Sequence, residues 1–189
     1  MTSYHPTIWR TCRVLANKRR LACLNAVLQQ PGETVGEIAL AAKLPQDQAS
    51  LCLRALQARG ILHATRESRW VHYFPWPDPL VPMAAPILAG MSHTVLNEKR
   101  SETRILRCLT AFTHPRRLVI LRCLQQHGPM PPAVLARRSL ISAAALFRHM
   151  KKLEDRRLVI ESDTGWSINP AQESLASTFL TLIAHGPEI

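Results

Sequence analysis

Apolar positions fall at helical spacing through most of the first 60 residues. Leu21, Leu24, Val27 and Leu28 form one stripe over Lys18–Gln29, stopped by Pro31-Gly32. A shorter stripe of Ile8, Trp9, Cys12 and Leu15 predicts a helix over Thr7–Ala16. Thr34 and Glu37 have the spacing of a capping box, in which the two side chains satisfy each other's free amides, so a short helix is expected over Val35–Ala42. After the turn Lys43-Leu44-Pro45 a further helix covers Gln46–Ala58, with Gly60 where a left-handed cap is wanted. The pattern then changes to β-type runs, Ile61–Arg66 and Arg69–Phe74, separated by Glu67-Ser68, which reads as a hairpin.

The same pattern returns 97 residues later. Arg19-Arg20-Leu21 pairs with Arg116-Arg117-Leu118, Leu24 with Leu121, Gln29 with Gln126, Ala39 with Ala136, Leu56 with Leu153 and Arg59 with Arg156, with no gap from Arg19 to Leu62. Only eight positions are identical, yet apolar positions stay apolar, as in Ile38/Leu135, Leu44/Ile141 and Leu53/Met150. A fixed offset with matched core positions predicts a duplicated unit. Its second copy has a helix from Pro115 to Gln126, short helices at Ala133–Arg138 and Ala143–Arg156, and strands at Leu158–Glu161 and Trp166–Ile168 around Asp163-Thr164-Gly165. Between the copies, Pro75–Pro82 is too rich in proline for helix or central strand. A helical region is expected from Ala84 to Thr110, broken near Gly90–Ser92, and a last helix from Asn169-Pro170, striped by Leu175, Phe179, Leu182 and Ile183. Three helices, a fourth set just after a tight turn, and then a hairpin are the order of a winged helix-turn-helix. The fold class expected is therefore mainly α with small β-hairpin wings: one such domain over residues 1–74, a Pro-rich linker and connecting helix over 75–104, and a second domain with a C-terminal helix over 105–189.

Charge sharpens the picture. The chain of 189 residues carries a net +11, with 10 basic and 5 acidic side chains in residues 1–82 and 14 and 8 in residues 83–189. Both copies therefore suit a polyanionic partner such as nucleic acid. No apolar run reaches the roughly 18–20 residues that span a bilayer, and the N-terminus lacks a secretory layout. Five cysteines, an odd number without close pairs, fit a reducing cytosol.

In three segments the chain resembles the arsenic-repressor-type (ArsR-like) winged helix-turn-helix regulators of bacteria and archaea, in tandem. They are Arg19-Arg20-Leu21 with His114–Leu118, Leu44–Gly60 with Ile141–Arg157, and the wing Thr65–Tyr73. The resemblance implies a cytoplasmic, nucleoid-associated repressor that places one helix of each head in the major groove of double-stranded DNA. In most relatives a homodimer supplies two heads; here one chain carries both, as a covalent pseudo-dimer or as half of a four-headed dimer joined through the connecting or terminal helices.

Base edges are read by polar and basic side chains near the start of such a helix, while longer basic residues hold phosphates. In the second copy these are Arg148, His149, Lys151 and Lys152, with Arg137 and Arg138 on the preceding helix; the family pattern favours an arginine-histidine pair where Arg148-His149 stands. The first copy has Leu51-Cys52 there, leaving Gln46, Gln48, Ser50 and Arg54 as readers, with Leu51 either touching a thymine methyl or marking a protein contact. The first wing is basic, with Arg66 and Arg69, whereas the second, Glu161–Gly165, carries two acids. A division of labour follows as an expectation: base readout by the second copy and backbone clamping by the first, set against plain drift after duplication.

No metal site is expected, because the two short helices that precede the reading helices hold no cysteine and the terminal helix offers only Glu173 and His185. A weaker constellation is His5, Cys12 and Cys108. Cys52, on a reading helix, is the candidate for oxidation, while Cys23 and Cys123 read as core. No phosphate loop, metal-ligand spacing or nucleophile elbow points to an enzyme or a cofactor. The competing readings are a protein-interaction scaffold and a non-specific architectural protein of the chromosome.

Overall fold

The computed structural model describes residues 7–185. The first half runs through α1 (Ile8–Leu15), α2 (Lys18–Gln29), α3 (Val35–Ala41), α4 (Gln46–Gln57) and an antiparallel hairpin of β1 (His63–Glu67) and β2 (Trp70–Phe74). The linker leads into α5 (Ala84–Ser92), which continues as a π-helical stretch, His93–Asn97. The order then recurs as α6 (Glu102–Ala111), α7 (Pro115–His127), α8 (Pro132–Ser139), α9 (Ala143–Glu154) and the hairpin β3 (Val159–Ser162) with β4 (Gly165–Ile168). Helix α10 (Ser174–His185) closes the described chain.

Helices α2, α3 and α4 begin at Lys18, Val35 and Gln46, each 97 residues before Pro115, Pro132 and Ala143, which begin α7, α8 and α9. Individual hydrogen bonds repeat at the same offset. Arg20 Nε donates to Val14 O at 2.6 Å and Nη2 to Arg13 O at 3.3 Å; Arg117 Nε donates to Ala111 O at 2.6 Å and Nη2 to Thr110 O at 2.8 Å. The repeated arginine thus caps the last carbonyls of the preceding helix, where cations are favoured. The turn inside each helix pair matches as well, with Lys43 and Leu140 both at φ 55°. Leu44 N donates to Ala39 O at 2.9 Å, and Ile141 N to Ala136 O at 3.1 Å.

Local chemistry fixes the helix starts. Thr34 and Glu37 form the expected capping box, with Thr34 N donating to Glu37 Oε2 at 2.7 Å. Asn17 Oδ1 accepts from Arg20 N at 3.1 Å at the start of α2, and His114 Nδ1 accepts from Arg116 N at 3.2 Å at the start of α7.

Two expectations are corrected. The helix does not break at Gly90–Ser92; it continues to Asn97, and the break falls between Glu98 and Ser101, where Lys99 has φ 49°. Gly90 is needed for close approach, since a Cβ there would stand 3.0 Å from the Thr178 hydroxyl on α10. Nor does Asn169-Pro170 open the last helix, which begins at Ser174. The Asn169 side chain is engaged elsewhere, donating to Arg157 O at 2.9 Å and accepting from Ala171 N at 3.0 Å.

One hydrophobic core runs through both halves. Helix α1 packs on α6, and α10 lies against α7 and α5. The buried rings of Phe112 and Phe179 stack with centroids 4.9 Å apart, joining the end of α6 to α10. The helices expected to offer a dimer contact, α5 and α10, therefore pack on each other within one chain.

Candidate nucleic-acid interface

In the second half, α7 and α8 support α9, whose Leu146, Met150 and Leu153 are buried. Arg148, Lys151 and Lys152 on α9 and Arg137 and Arg138 on α8 are exposed, so five cations share this helix-turn-helix surface. His149 is different. It is half-buried, with its ring 4.7 Å from that of His114. Burial, then the neighbouring His114 and the arginines 117, 116 and 148, pushes its pKa down to about 4, so it is neutral at pH 7. Two apolar residues that the sequence reading did not single out stand beside these cations: Leu140 is 92% exposed and Phe147 69%.

The second wing is pinned to the segment before α8. Met130 N donates to Trp166 O at 3.0 Å and Trp166 N to Met130 O at 2.9 Å. Gly165 permits this, because a Cβ there would lie 2.3 Å from the Met130 carbonyl oxygen. The wing tip retains its two acids, Glu161 and Asp163, both exposed.

In the first half, Gln46 and Arg54 are exposed and Ser50 is half-exposed. The Gln48 side chain accepts from Arg19, and Arg54 Nε donates to Ser50 O at 3.4 Å. Leu40 and Leu51 stand out at 83% and 61% exposed. Cys52 is not exposed as expected. It is buried beside Cys23, whose thiol is pushed up to about 12 by burial first and by Cys52 next. The Cys52 sulfur is thereby shielded from solvent oxidants. All five cysteines are free and buried, and Cys12 lies near enough to Cys108 to feel it, with burial the main cause of its raised pKa. His5, the third member of the weak constellation, falls outside the described residues. Among the described residues no group of three His, Cys, Asp or Glu side chains is placed to hold a metal ion, and no helix is long and apolar enough to cross a membrane.

The first wing turns at Ser68-Arg69, one residue later than expected, with Ser68 at φ 56° and Glu67 paired to Trp70. Both wing arginines are exposed: Arg66 Nε donates to Ser68 O at 3.2 Å, and the Arg69 guanidinium lies 4.9 Å from the Trp70 ring centroid. His72 Nδ1 lies 2.8 Å from Gly32 O, anchoring the hairpin at its base.

Residues 114–162 match the MarR family model. The match spans α7, α8, α9 and β3, and supports a winged helix-turn-helix of a DNA-binding transcriptional regulator in this part of the chain. Double-stranded DNA is the partner such a domain indicates. Among solved structures the chain is similar to human N-acetylserotonin methyltransferase in complex with SAM, at 13% identity and a TM-score of 0.33. That alignment covers 79% of this chain and 39% of the methyltransferase chain, so the present chain spans well under half of that protein, and so slight a likeness carries no conclusion about fold or activity. The comparison with curated proteins finds no match.

Proposed function

We propose that this chain is a sequence-specific double-stranded DNA-binding transcriptional regulator, acting as a repressor, with two winged-helix heads in one polypeptide. The observation that carries the reading is the exposed cationic surface of α8 and α9, with Arg137, Arg138, Arg148, Lys151 and Lys152, on the segment that matches a DNA-binding family. Arg148, Lys151 and Lys152 lie on α9, the helix that would enter the major groove. Arg148 has the fork geometry that grips guanine at two acceptors, and the lysines add sequence-independent attraction. The neutral His149 contributes shape and hydrogen bonding rather than charge.

The second head is residues 105–189 and the first residues 1–74, with 75–104 connecting them. Equal element order, the repeated arginine caps and the matched turn support two heads. The packing of α1 on α6 and of α5 on α10 supports a pseudo-dimer complete in one chain. The protein works by binding, without catalysis or a cofactor, in the cytoplasm at the nucleoid. The arsenic-repressor likeness of both halves rests on their sequence segments.

A second reading applies to the first head. Its exposed Leu40 and Leu51 favour a protein contact over a DNA contact at that surface.

Selection from pooled random duplex DNA at two salt concentrations tests both. Enrichment of a site with two unlike halves, weakening steeply with salt, is the expected result. A single half-site would assign DNA reading to the second head alone, and absence of enrichment would overturn sequence-specific regulation.

A further inference from the structure

A cleft of about 510 Å³ opens where the two halves meet, between α1, the turn from α6 into α7, and α9. Its lining includes Trp9, Arg13, His114, Arg117, Lys152 and Arg156, and no carboxylate. Four cations thus face one cavity, and the burial of one of them is deep. Arg117 is only 7% exposed and lies near enough to Arg156 to be repelled by it. Arg117 donates to the carbonyls of Thr110 and Ala111 and to Thr113 Oγ1, which are dipoles rather than charges. Arg156 donates through Nε to Thr110 Oγ1 at 2.8 Å and through Nη1 to Lys152 O at 3.1 Å. Asp155 offsets part of the charge on Arg156, but it does not line the cleft.

Withdrawing a charge such as that of Arg117 from water without a counter-charge is costly, and an anion in the cleft would offset that cost. The electrostatic consequence is visible in the neighbours. Burial pushes Arg117 down to about 10, with Arg156 adding to the shift, and both His114 and His149 are lowered, first by burial and then by the surrounding cations. The equivalent place in the first half keeps only part of the set: Arg20 and Arg59 match Arg117 and Arg156, but 97 residues before Lys152 and His114 stand Ala55 and Asn17, and 97 residues after Arg13 and Trp9 stand Thr110 and Leu106. Two of the four cations, Arg13 and Lys152, thus have no counterpart in the repeat, and duplication alone does not explain their meeting at one cleft.

We propose that this cleft binds a phosphate-type anion, held by Arg13 from α1, Lys152 from α9 and Arg156 from the turn after α9, with Arg117 supplying a fixed buried charge behind them. Guanidinium groups match the oxygen geometry of phosphate, and Lys152 acts as a point charge. Because α1 belongs to the first half and α9 to the second, the bound anion bridges the seam between them. The same chemistry has two sources, a backbone phosphate of DNA or a free phosphate-bearing small molecule. The proposal does not depend on the DNA-binding reading, since the second source needs no DNA.

The test is calorimetric titration of the full chain with inorganic pyrophosphate, alongside duplex DNA titrations over a series of salt concentrations. The variant is Arg13→Gln with Lys152→Gln, two exposed side chains whose removal leaves the Arg117 and Arg156 hydrogen bonds in place. The control is Lys18→Gln with Lys99→Gln, which removes equal charge outside the cleft. One pyrophosphate per chain, weakened at least about tenfold by the variant and unchanged in the control, would assign a free anion. No pyrophosphate binding, with the DNA salt slope reduced by about 2 in the variant alone, would assign a backbone phosphate. Variant and control behaving alike in both titrations would overturn the site.

Discussion

At positions 97 residues apart the two halves carry different exposed chemistry. The first half presents Leu40 and Leu51 to solvent where the second presents Arg137 and Arg148, each pair 97 residues apart. Beneath them the buried residues correspond, as Ile38 with Leu135, Leu53 with Met150 and Leu56 with Leu153. Core positions are held by packing, whose loss costs kilocalories, while exposed positions are free to change with little effect on stability. The comparison teaches that buried positions of the two halves correspond while their exposed positions differ in chemistry.

The sharpest way to break this comparison is Arg148→Ala. Loss of a bidentate base contact costs about 1–3 kcal/mol, so DNA affinity should fall roughly ten- to hundredfold and preference should relax at one base position, measured by binding to the selected site. The reciprocal change, Leu40→Arg with Leu51→Arg, should raise DNA affinity by up to about tenfold if the first half lies on the duplex. An unchanged affinity would separate that surface from DNA.

Neutralising the first wing with Arg66→Gln and Arg69→Gln should lower the salt slope by about 2 while keeping the preferred sequence. Loss of preference instead would sink the idea that this half clamps the backbone. A smaller effect concerns acid. His149 has a folded pKa of about 4 against 6.5 for an ordinary histidine, so the unfolded chain binds its proton first as pH falls. The stability it contributes is complete above pH 6.5 and is lost progressively down to about 4. His149→Gln should flatten the dependence of Tm on pH across that window. Smallest of all, Leu140 holds φ 55° with its side chain in water, a conformation asparagine adopts more readily. Leu140→Asn should therefore stabilise by about 0.5–1 kcal/mol, read as a rise in the urea midpoint.

Much of the scaffold was legible because it rests on local signals. The stripe over Lys18–Gln29, the Thr34/Glu37 box and Pro115 at a helix start each depend on neighbours in sequence, and each element appears where those residues place it. The cationic surface of α8 and α9 was legible for the same reason. What the sequence concealed depends on contacts between distant segments. Gly90 resembles a helix breaker until Thr178 is brought against it. Cys52 reads as exposed until it is buried beside Cys23, and His149 reads as a free side chain until His114 meets its ring. Leu40 opposite Arg137 is visible in the sequence at the 97-residue offset. The cleft that joins Arg13 to Lys152 and Arg156 had no signal along the chain, since it forms only when α1 crosses to the other half.

The continuous core across the seam has a geometric consequence. A particle made of two identical subunits has a two-fold axis and looks the same from either end. Here both lobes belong to one chain and their outer faces differ, so no rotation exchanges them. Bound to a duplex with both lobes, such a body has a front and a back, and it would mark one direction along the double helix rather than a point upon it.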